Sequence, residues 1–366
     1  MRYATMRYAM MRSGALLLAL SLLPAGCAGL GDDYEIPLER ETSTEHLDLA
    51  EQEIERGELE AALERLIAVR GVDSLPPEAR FRSERLIDRC AGLLIDSYSQ
   101  PGVDSGELEA LWEQELSSRM RARAGVRAAA QLLAEGSRIL AVKQIRAVES
   151  ELPLHQERQA AGEVLAEAGF SLIRDPGRYW LVRRYGSRGI EALEFLVVTY
   201  PLDPSCPQAY SALAQAYEDR GNLDLALEQL EYVLRYHIKS EYAVRSEARL
   251  PYLRMQRLER TDHDRNELLT AQSELRTWLR KHTGHELEEW VRATENACMV
   301  WLADSDVRLA RYYVRTDNPF GARLHALRAL DEATEAGDPG LVAQAQDLLD
   351  ALSPEPAESH GAEAGP

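Results

Sequence analysis

The amino-acid sequence predicts an all-α protein, an α-solenoid of stacked antiparallel helix pairs. Three observations carry that prediction. From Glu45 to Leu352 no segment alternates apolar and polar residues with the period of a half-buried strand. Glycine and proline fall between the apolar-periodic stretches and not within them. A helical phrase also recurs, with Ala192 in "GIEALEFLVVTYPLDP" lying thirty-four residues before Ala226 in "LDLALEQLEYVLRY".

The chain opens on an export signal. Its apolar run, Gly14 to Ala25, is about a dozen residues against the roughly 20 a membrane-spanning helix needs. Arg2, Arg7 and Arg12 form a basic leader, and Ala25 and Gly26 are the small residues a signal peptidase accepts. Met6, Met10 and Met11 are alternative starts. An ordinary signal has no use for the cysteine that follows. Leu23-Pro24-Ala25-Gly26-Cys27 resembles a bacterial lipoprotein box, with Pro24 where leucine is usual. The resemblance implies cleavage after residue 26 and acylation of Cys27. Ala28, in place of an aspartate, resembles the outer-membrane sorting pattern, so the implied location is an outer-membrane lipoprotein facing the periplasm. Residues 1–26 are thus read as signal peptide and 27–44 as a polar tether.

Removing the signal takes three arginines and no acid, so the formal charge of −19 becomes three units more negative. Such a chain repels nucleic acid and anionic lipid, leaving membrane attachment to the anchor. Cys90, Cys206 and Cys298 remain, an odd number at wide spacing that forms neither a disulfide framework nor a zinc pattern. Cys90 and Cys298 sit in apolar helical contexts and read as small buried hydrophobes.

Helical patterning begins at about residue 45, and Thr42 with Glu45 has the spacing of a capping box. Residues 45–180 read as irregular helical repeats. Gly57 with Ala62, and Gly136 with Ala141, keep one turn-to-alanine spacing. "SGELEALWEQEL" and "NELLTAQSELRTWLRKH" read as second helices of less regular units. Residues 181–352 hold the clearest repeats. In "QAYSALAQAYEDRGNLDLALEQLEYVLRY", Tyr210, Leu213, Ala214 and Tyr217 mark one face of a first helix. Gly221 makes the turn, and Ala226, Leu230 and Val233 mark a second helix. Ala310, Tyr313, Ala322 and Ala329 form a last copy. Residues 353–366 have no large apolar side chain to offset their ordering entropy and read as a disordered tail.

This order of large residue, small residue, aromatic, turn glycine and alanine, at a period of thirty-four, resembles the tetratricopeptide repeat (TPR). Within that class, the Tyr-Pro joints and "DVRLARYYVRTDNPFGARLHALRAL" resemble the BamD family, lipoproteins of the machinery that inserts β-barrels into the outer membrane. Tyr312 and Tyr313 match the family's tyrosine pair. Asp317 stands where the family has its turn glycine, with one residue inserted before Ala322, and His325-Ala326 replaces an Asn-Arg pair. The resemblance implies a groove lined by the first helix of each pair. Its candidate residues are Gln208, Ser211, Gln215, Glu218 and Asp219 in one unit, and Arg311, Tyr312, Tyr313 and Arg315 in the last. A groove of mixed sign suits an extended peptide or another protein's helix. The implied partners are envelope proteins, a barrel-insertion subunit or unfolded barrel substrates. The same fold also serves as a structural scaffold for the cell wall, the division apparatus or a secretion pilus.

No constellation for catalysis stands out. His282 and His285 are the only close histidine pair, but Gly284 interrupts them and their order matches no zinc set, so no metal or other cofactor is expected. No Gly-rich phosphate loop or nucleophile elbow is present, and the expectation is a binding protein, not an enzyme.

Overall fold

The computed structural model describes residues 40–73, 75–175, 178–179, 183–184, 186–258 and 265–352. The expected signal peptide, Cys27, the expected tether up to residue 39 and the expected disordered tail from 353 lie outside the described residues. Among those described, fifteen helices follow one another in pairs. The first four pairs are α1 (Arg40–Arg56) with α2 (Leu59–Arg70), α3 (Pro77–Tyr98) with α4 (Ser105–Glu113), α5 (Ser118–Ala134) with α6 (Arg138–Glu151), and α7 (Arg158–Arg174) with α8 (Gly186–Thr199). Then come α9 (Cys206–Glu218) with α10 (Leu223–Tyr236), α11 (Glu241–Arg257) with α12 (Arg265–Lys281), α13 (Glu288–Arg315) with α14 (Pro319–Ala336), and α15 (Pro339–Ala351). Each helix packs on the next, and each odd-numbered helix also touches the next odd-numbered one. The even-numbered helices make no comparable contacts with each other, so the odd helices form the inner wall of an all-α solenoid. None of these helices is long and apolar enough to cross a membrane.

The turns explain the recurrence. Gly57, Gly136 and Gly221 adopt φ of +80°, +82° and +76°, a left-handed conformation that costs glycine nothing. In each turn the following N–H closes onto a carbonyl five residues back, Glu58 to Glu53, Ser137 to Leu132 and Asn222 to Tyr217, at 2.8 to 2.9 Å. This is the Schellman closure, which satisfies carbonyls the helix end leaves free. Asp317 does the same work at φ +52°, with Asn318 bonded to Tyr313. It precedes Ala322 by five residues, the spacing of Gly221 to Ala226, so the last unit has no insertion relative to the chain's own repeats. These tight turns join every second pair. The intervening pairs are joined by longer connections, and the one between α7 and α8 carries a two-residue antiparallel pairing, β1 (Arg178–Tyr179) with β2 (Arg183–Arg184), that the sequence pattern did not predict.

The alanines after the turns mark the crossings. Ala62, Ala141, Ala192, Ala226 and Ala322 are all fully buried. Tyr210, Ala214 and Tyr217 are buried beside them, Tyr210 stacked on Tyr232 at 5.4 Å and Tyr217 donating its hydroxyl proton to Glu194. Burial first, then the Glu194 carboxylate, raises the Tyr217 phenol above its ordinary range. One core runs from Leu47 to Leu253, and two smaller clusters continue it to Ala345. The division at 180/181 falls inside the α7–α8 pair, and this core passes over it. Cys90, Cys206 and Cys298 are buried, their thiols directed at the carbonyls of Leu59, Tyr200 and Leu268. Burial raises them to about 11, 11 and 12 respectively, which makes them poor nucleophiles.

Three expectations need correction. Helix α1 begins at Arg40, inside the stretch assigned to the tether, so Thr42 lies within the helix and not at its cap. Pro251 sits within α11, buried, and supplies no N–H for the carbonyl one turn earlier. Glycines also occur inside helices where backbones approach closely. A Cβ at Gly125 would lie 2.6 Å from Val148 and 2.8 Å from Trp112, and one at Gly169 would lie 2.5 Å from Leu193. Periodicity alone did not register these positions because it counts apolar residues, and at a tight crossing the informative residue is the one without a side chain.

A buried polar cluster locks the C-terminal units. Asp306 on α13, fully buried, accepts from Arg265 of α12 at 2.6 and 3.2 Å and lies 2.6 Å from the His325 ring on α14. Arg265 also reaches Glu332 of α14 at 3.2 Å. Burial first, then the Asp306 carboxylate, pushes the Glu332 carboxyl up to about 7.

Two outcomes are expected. Asp317→Gly should raise the denaturation midpoint, by about 1 kcal/mol of stability, because glycine relieves the left-handed backbone. An unchanged midpoint would show that the Asp317 side chain contributes as much as its backbone costs. Glu332 holds a proton in the folded chain that the unfolded chain releases near 4.5, so its contribution falls as pH rises from 4.5 to about 7. Glu332→Gln should therefore flatten that fall by on the order of 1–3 kcal/mol, read as melting temperature against pH.

Candidate partner-binding groove

The candidate residues of α9 recur at intervals of three and four, which places Gln208, Ser211, Gln215 and Glu218 on one helical face. Gln208 and Asp219 are exposed, and Ser211, Gln215 and Glu218 are half-buried. Opposite them stands α11, whose Arg245, Arg249 and Tyr252 share a face by the same spacing. The start of α13 contributes Trp290, preceded by Glu286 and Leu287. Together these three odd helices enclose a groove of about 460 Å³.

Arg249 organises one wall. It donates to the Gln215 side-chain oxygen at 2.5 Å and to the Glu218 carboxylate, while Gln215 donates in turn to Asp219 at 2.8 Å. Three of the five candidates on α9 are thereby joined in one network held from the neighbouring helix. Arg245 pairs with Glu286 at 2.8 Å, an exposed pair of the kind worth about 0–1 kcal/mol, so its guanidinium can exchange that partner for another carboxylate at little cost. Tyr252 and Trp290 meet edge to face at 5.4 Å. The groove thus combines a fixed ion pair, an exchangeable one and an aromatic floor, a set that suits the backbone and side chains of an extended segment.

The second candidate set belongs elsewhere. Arg311, Tyr312, Tyr313 and Arg315 lie at the far end of α13, and Trp290 to Arg315 spans roughly 37 Å at 1.5 Å per residue. They do not complete a mixed-sign groove with α9; the positive charge there comes from Arg245 and Arg249. Tyr313 is engaged within the fold, stacked on His325 at 5.4 Å and pressed against Gly321. Arg311 donates to Gln344 of α15 at 2.8 Å. Tyr312, half exposed, and Arg315 at the helix end remain on the surface. Arg245, Arg249 and Tyr252 of α11 are groove residues that the sequence-based candidate set does not include. The spacing of Arg245, Arg249 and Tyr252 was the available signal.

The histidine pair has structural work. His285 Nδ1 accepts the Leu287 N–H at 3.1 Å just before α13, and its ring meets Trp278 at 5.4 Å. His282 lies against the same Trp278 and 3.3 Å from Glu247. Before α7, His155 accepts the Glu157 N–H in the same way, and before α9 Asp203 accepts from Ser205 at 2.8 Å. The motif is a joint cap repeated along the stack. His155 also places its other nitrogen 2.9 Å from Glu149, which accepts from Arg158 at 3.1 Å and from the Tyr200 hydroxyl at 2.6 Å. Among the described residues no group of acidic, histidine and cysteine side chains is arranged to hold a metal ion.

No protein-family model matches the chain, and no curated protein matches it. Among solved structures, one similar chain is described as a circular tandem repeat protein with novel repeat topology and enhanced subunit contact surfaces. It is 14% identical over 85% of this chain and 75% of that chain, with a TM-score of 0.22.

Arg249→Ala should cost about 1–2 kcal/mol, because it strips Glu218 and Gln215 of a shared donor in a half-buried site. A double-mutant cycle with Glu218→Ala, followed by urea denaturation, should show a coupling of about 0.5–1 kcal/mol. Strict additivity would mean that the pair does not hold this wall.

Proposed function

We propose that the protein is a lipid-anchored outer-membrane lipoprotein, facing the periplasm, that binds other envelope proteins and assists the assembly of β-barrel proteins. Its action is noncovalent: the acylated Cys27 fixes location, and the wall of odd helices holds a segment of the partner. The observation that supports this most directly is the α9–α11–α13 groove, where Arg245, Arg249, Tyr252 and Trp290 face Ser211, Gln215 and Glu218 around a cavity of about 460 Å³. The lipoprotein box at Cys27 and the BamD-like stretch around Tyr312 support the envelope setting. A partner engages the groove by exchanging the weak Arg245–Glu286 pair for its own carboxylate and laying apolar surface on Trp290.

The test is cross-linking in membranes, with a photoreactive residue at Ser211 in the groove or at Arg315, followed by mass spectrometry. Recovery of a barrel-insertion subunit or an unfolded barrel chain is expected. An Arg245→Ala/Trp290→Ala variant should lower the yield of cross-linking through the groove by at least about tenfold. Recovery of cell-wall, division or pilus components alone would replace this reading with that of a structural scaffold. Cys27→Ala should move the protein out of the membrane fraction, and retention there would remove the anchor from the proposal.

A further inference from the structure

The most exposed large apolar side chains are not scattered. Leu202 is 95% exposed, and Leu154, Val198, Ile238, Phe81 and Tyr236 are each at least 62% exposed. All six lie where an even helix hands over to the next odd one. Leu154 is in the connection from α6 to α7, Val198 and Leu202 in or beside that from α8 to α9, Tyr236 and Ile238 in or beside that from α10 to α11, and Phe81 is near the start of α3. Of comparably exposed large apolar side chains among the described residues, only Phe320 at the start of α14 lies elsewhere.

Because the helices alternate in direction, every such handover falls on the same edge of the stack. Contacts between neighbouring handovers trace that edge. Arg70 donates to the Glu115 carbonyl at 2.5 Å, the Tyr200 hydroxyl to Glu149 at 2.6 Å, and Arg245 to Glu286 at 2.8 Å. The chain also enters the stack here. Arg82, near the start of α3, pairs with Asp48 at 2.7 Å and Glu51 at 2.5 Å midway along α1, and α1, which ends at the tight turn of Gly57 on the opposite edge, begins on this one. Cys27 lies thirteen residues before Arg40, a stretch that can reach at most about 45 Å.

We infer that this edge rests on the bilayer that holds the Cys27 lipid, with Leu154, Leu202 and Ile238 entering the membrane interface at successive joints. The inference rests on the lipid-anchor reading above. Single apolar side chains on separate joints, roughly 10 Å apart, suit a lipid surface that each enters independently. The formal charge, −19 for the whole chain and three units more negative once residues 1–26 are removed, disfavours anionic headgroups, so the surface is zwitterionic and the attraction apolar. In this orientation the tight turns at Gly57, Gly136, Gly221 and Asp317 point away from the membrane, and the odd-helix wall stands upright on it.

The test couples purified, unacylated protein through Cys27 to a maleimide-bearing phospholipid in phosphatidylcholine–phosphatidylethanolamine vesicles. Cys90, Cys206 and Cys298 are buried and do not compete. Amide hydrogen exchange at 152–157, 200–205 and 237–240 should slow about tenfold on coupling, while the turns on the opposite edge exchange as before. A Leu154→Asp/Leu202→Asp/Ile238→Asp variant should couple equally well and lose that protection. Equal exchange in free and coupled protein would overturn the inference. So would protection that appears without vesicles and grows with protein concentration, which assigns the edge to a second copy of the chain. Coupling through maleimide does not depend on acylation in the cell, so failure here and failure of Cys27→Ala to leave the membrane fraction are separate results.

Discussion

Helices in this chain cover their apolar surface only by leaning on a neighbour outside their own pair, and they can lean closely because the crossings are built from alanine and glycine. Ala62, Ala141, Ala192, Ala226 and Ala322 let the two helices of a pair approach, and Gly125 and Gly169 let the backbone approach Trp112 and Leu193. The larger side chains, Leu66, Ile145, Leu193, Leu230 and Trp278 among them, then fill the space between units. Each buried side chain of that size contributes about 1.5–3 kcal/mol, and no pair retains that contribution alone. The stack is therefore one cooperative object along most of its length, as the core from Leu47 to Leu253 requires.

Polar contacts at the joints decide how one unit sits on the next. Burying Glu149 is tolerable because Arg158, His155 and Tyr200 all reach it, and the same three residues come from α7, the joint before it and the joint after α8. Arg265 and Arg276 act similarly farther along, each spanning from α12 to carboxylates on both α13 and α14. Such contacts are directional where apolar packing is not, so they set the rotation between units and hence the shape of the inner wall.

The groove and the apolar edge follow from that rotation. The α9, α11 and α13 faces open toward one another because the odd helices are nearest neighbours, and the joints line up because the helices alternate in direction. A segment held against Trp290 lies on the odd-helix wall, and the Arg245–Glu286 pair belongs both to that groove and to the joint edge, so a partner and the membrane would meet at this rim.

The helices and their pairing were legible in the sequence because both depend on local physics. Periodicity marks a buried stripe, a residue tolerant of positive φ marks a turn, and Gly57, Gly136, Gly221 and Asp317 stand five residues before their alanines. On α9, Ser211, Gln215 and Glu218 share a face by their spacing, and it was the TPR resemblance that marked that face as a groove. Distance across the stack was not readable. Arg249 meets Glu218 across thirty-one residues and Tyr252 meets Trp290 across thirty-eight, contacts set by how one unit rotates on the next. Tyr313, by sequence a surface candidate, is occupied by His325 and Gly321 of the following helix. Residue spacing along one helix determines which side chains share a face; only the packing of several helices decides which faces meet, because the contacts that orient them come from residues far apart in the chain.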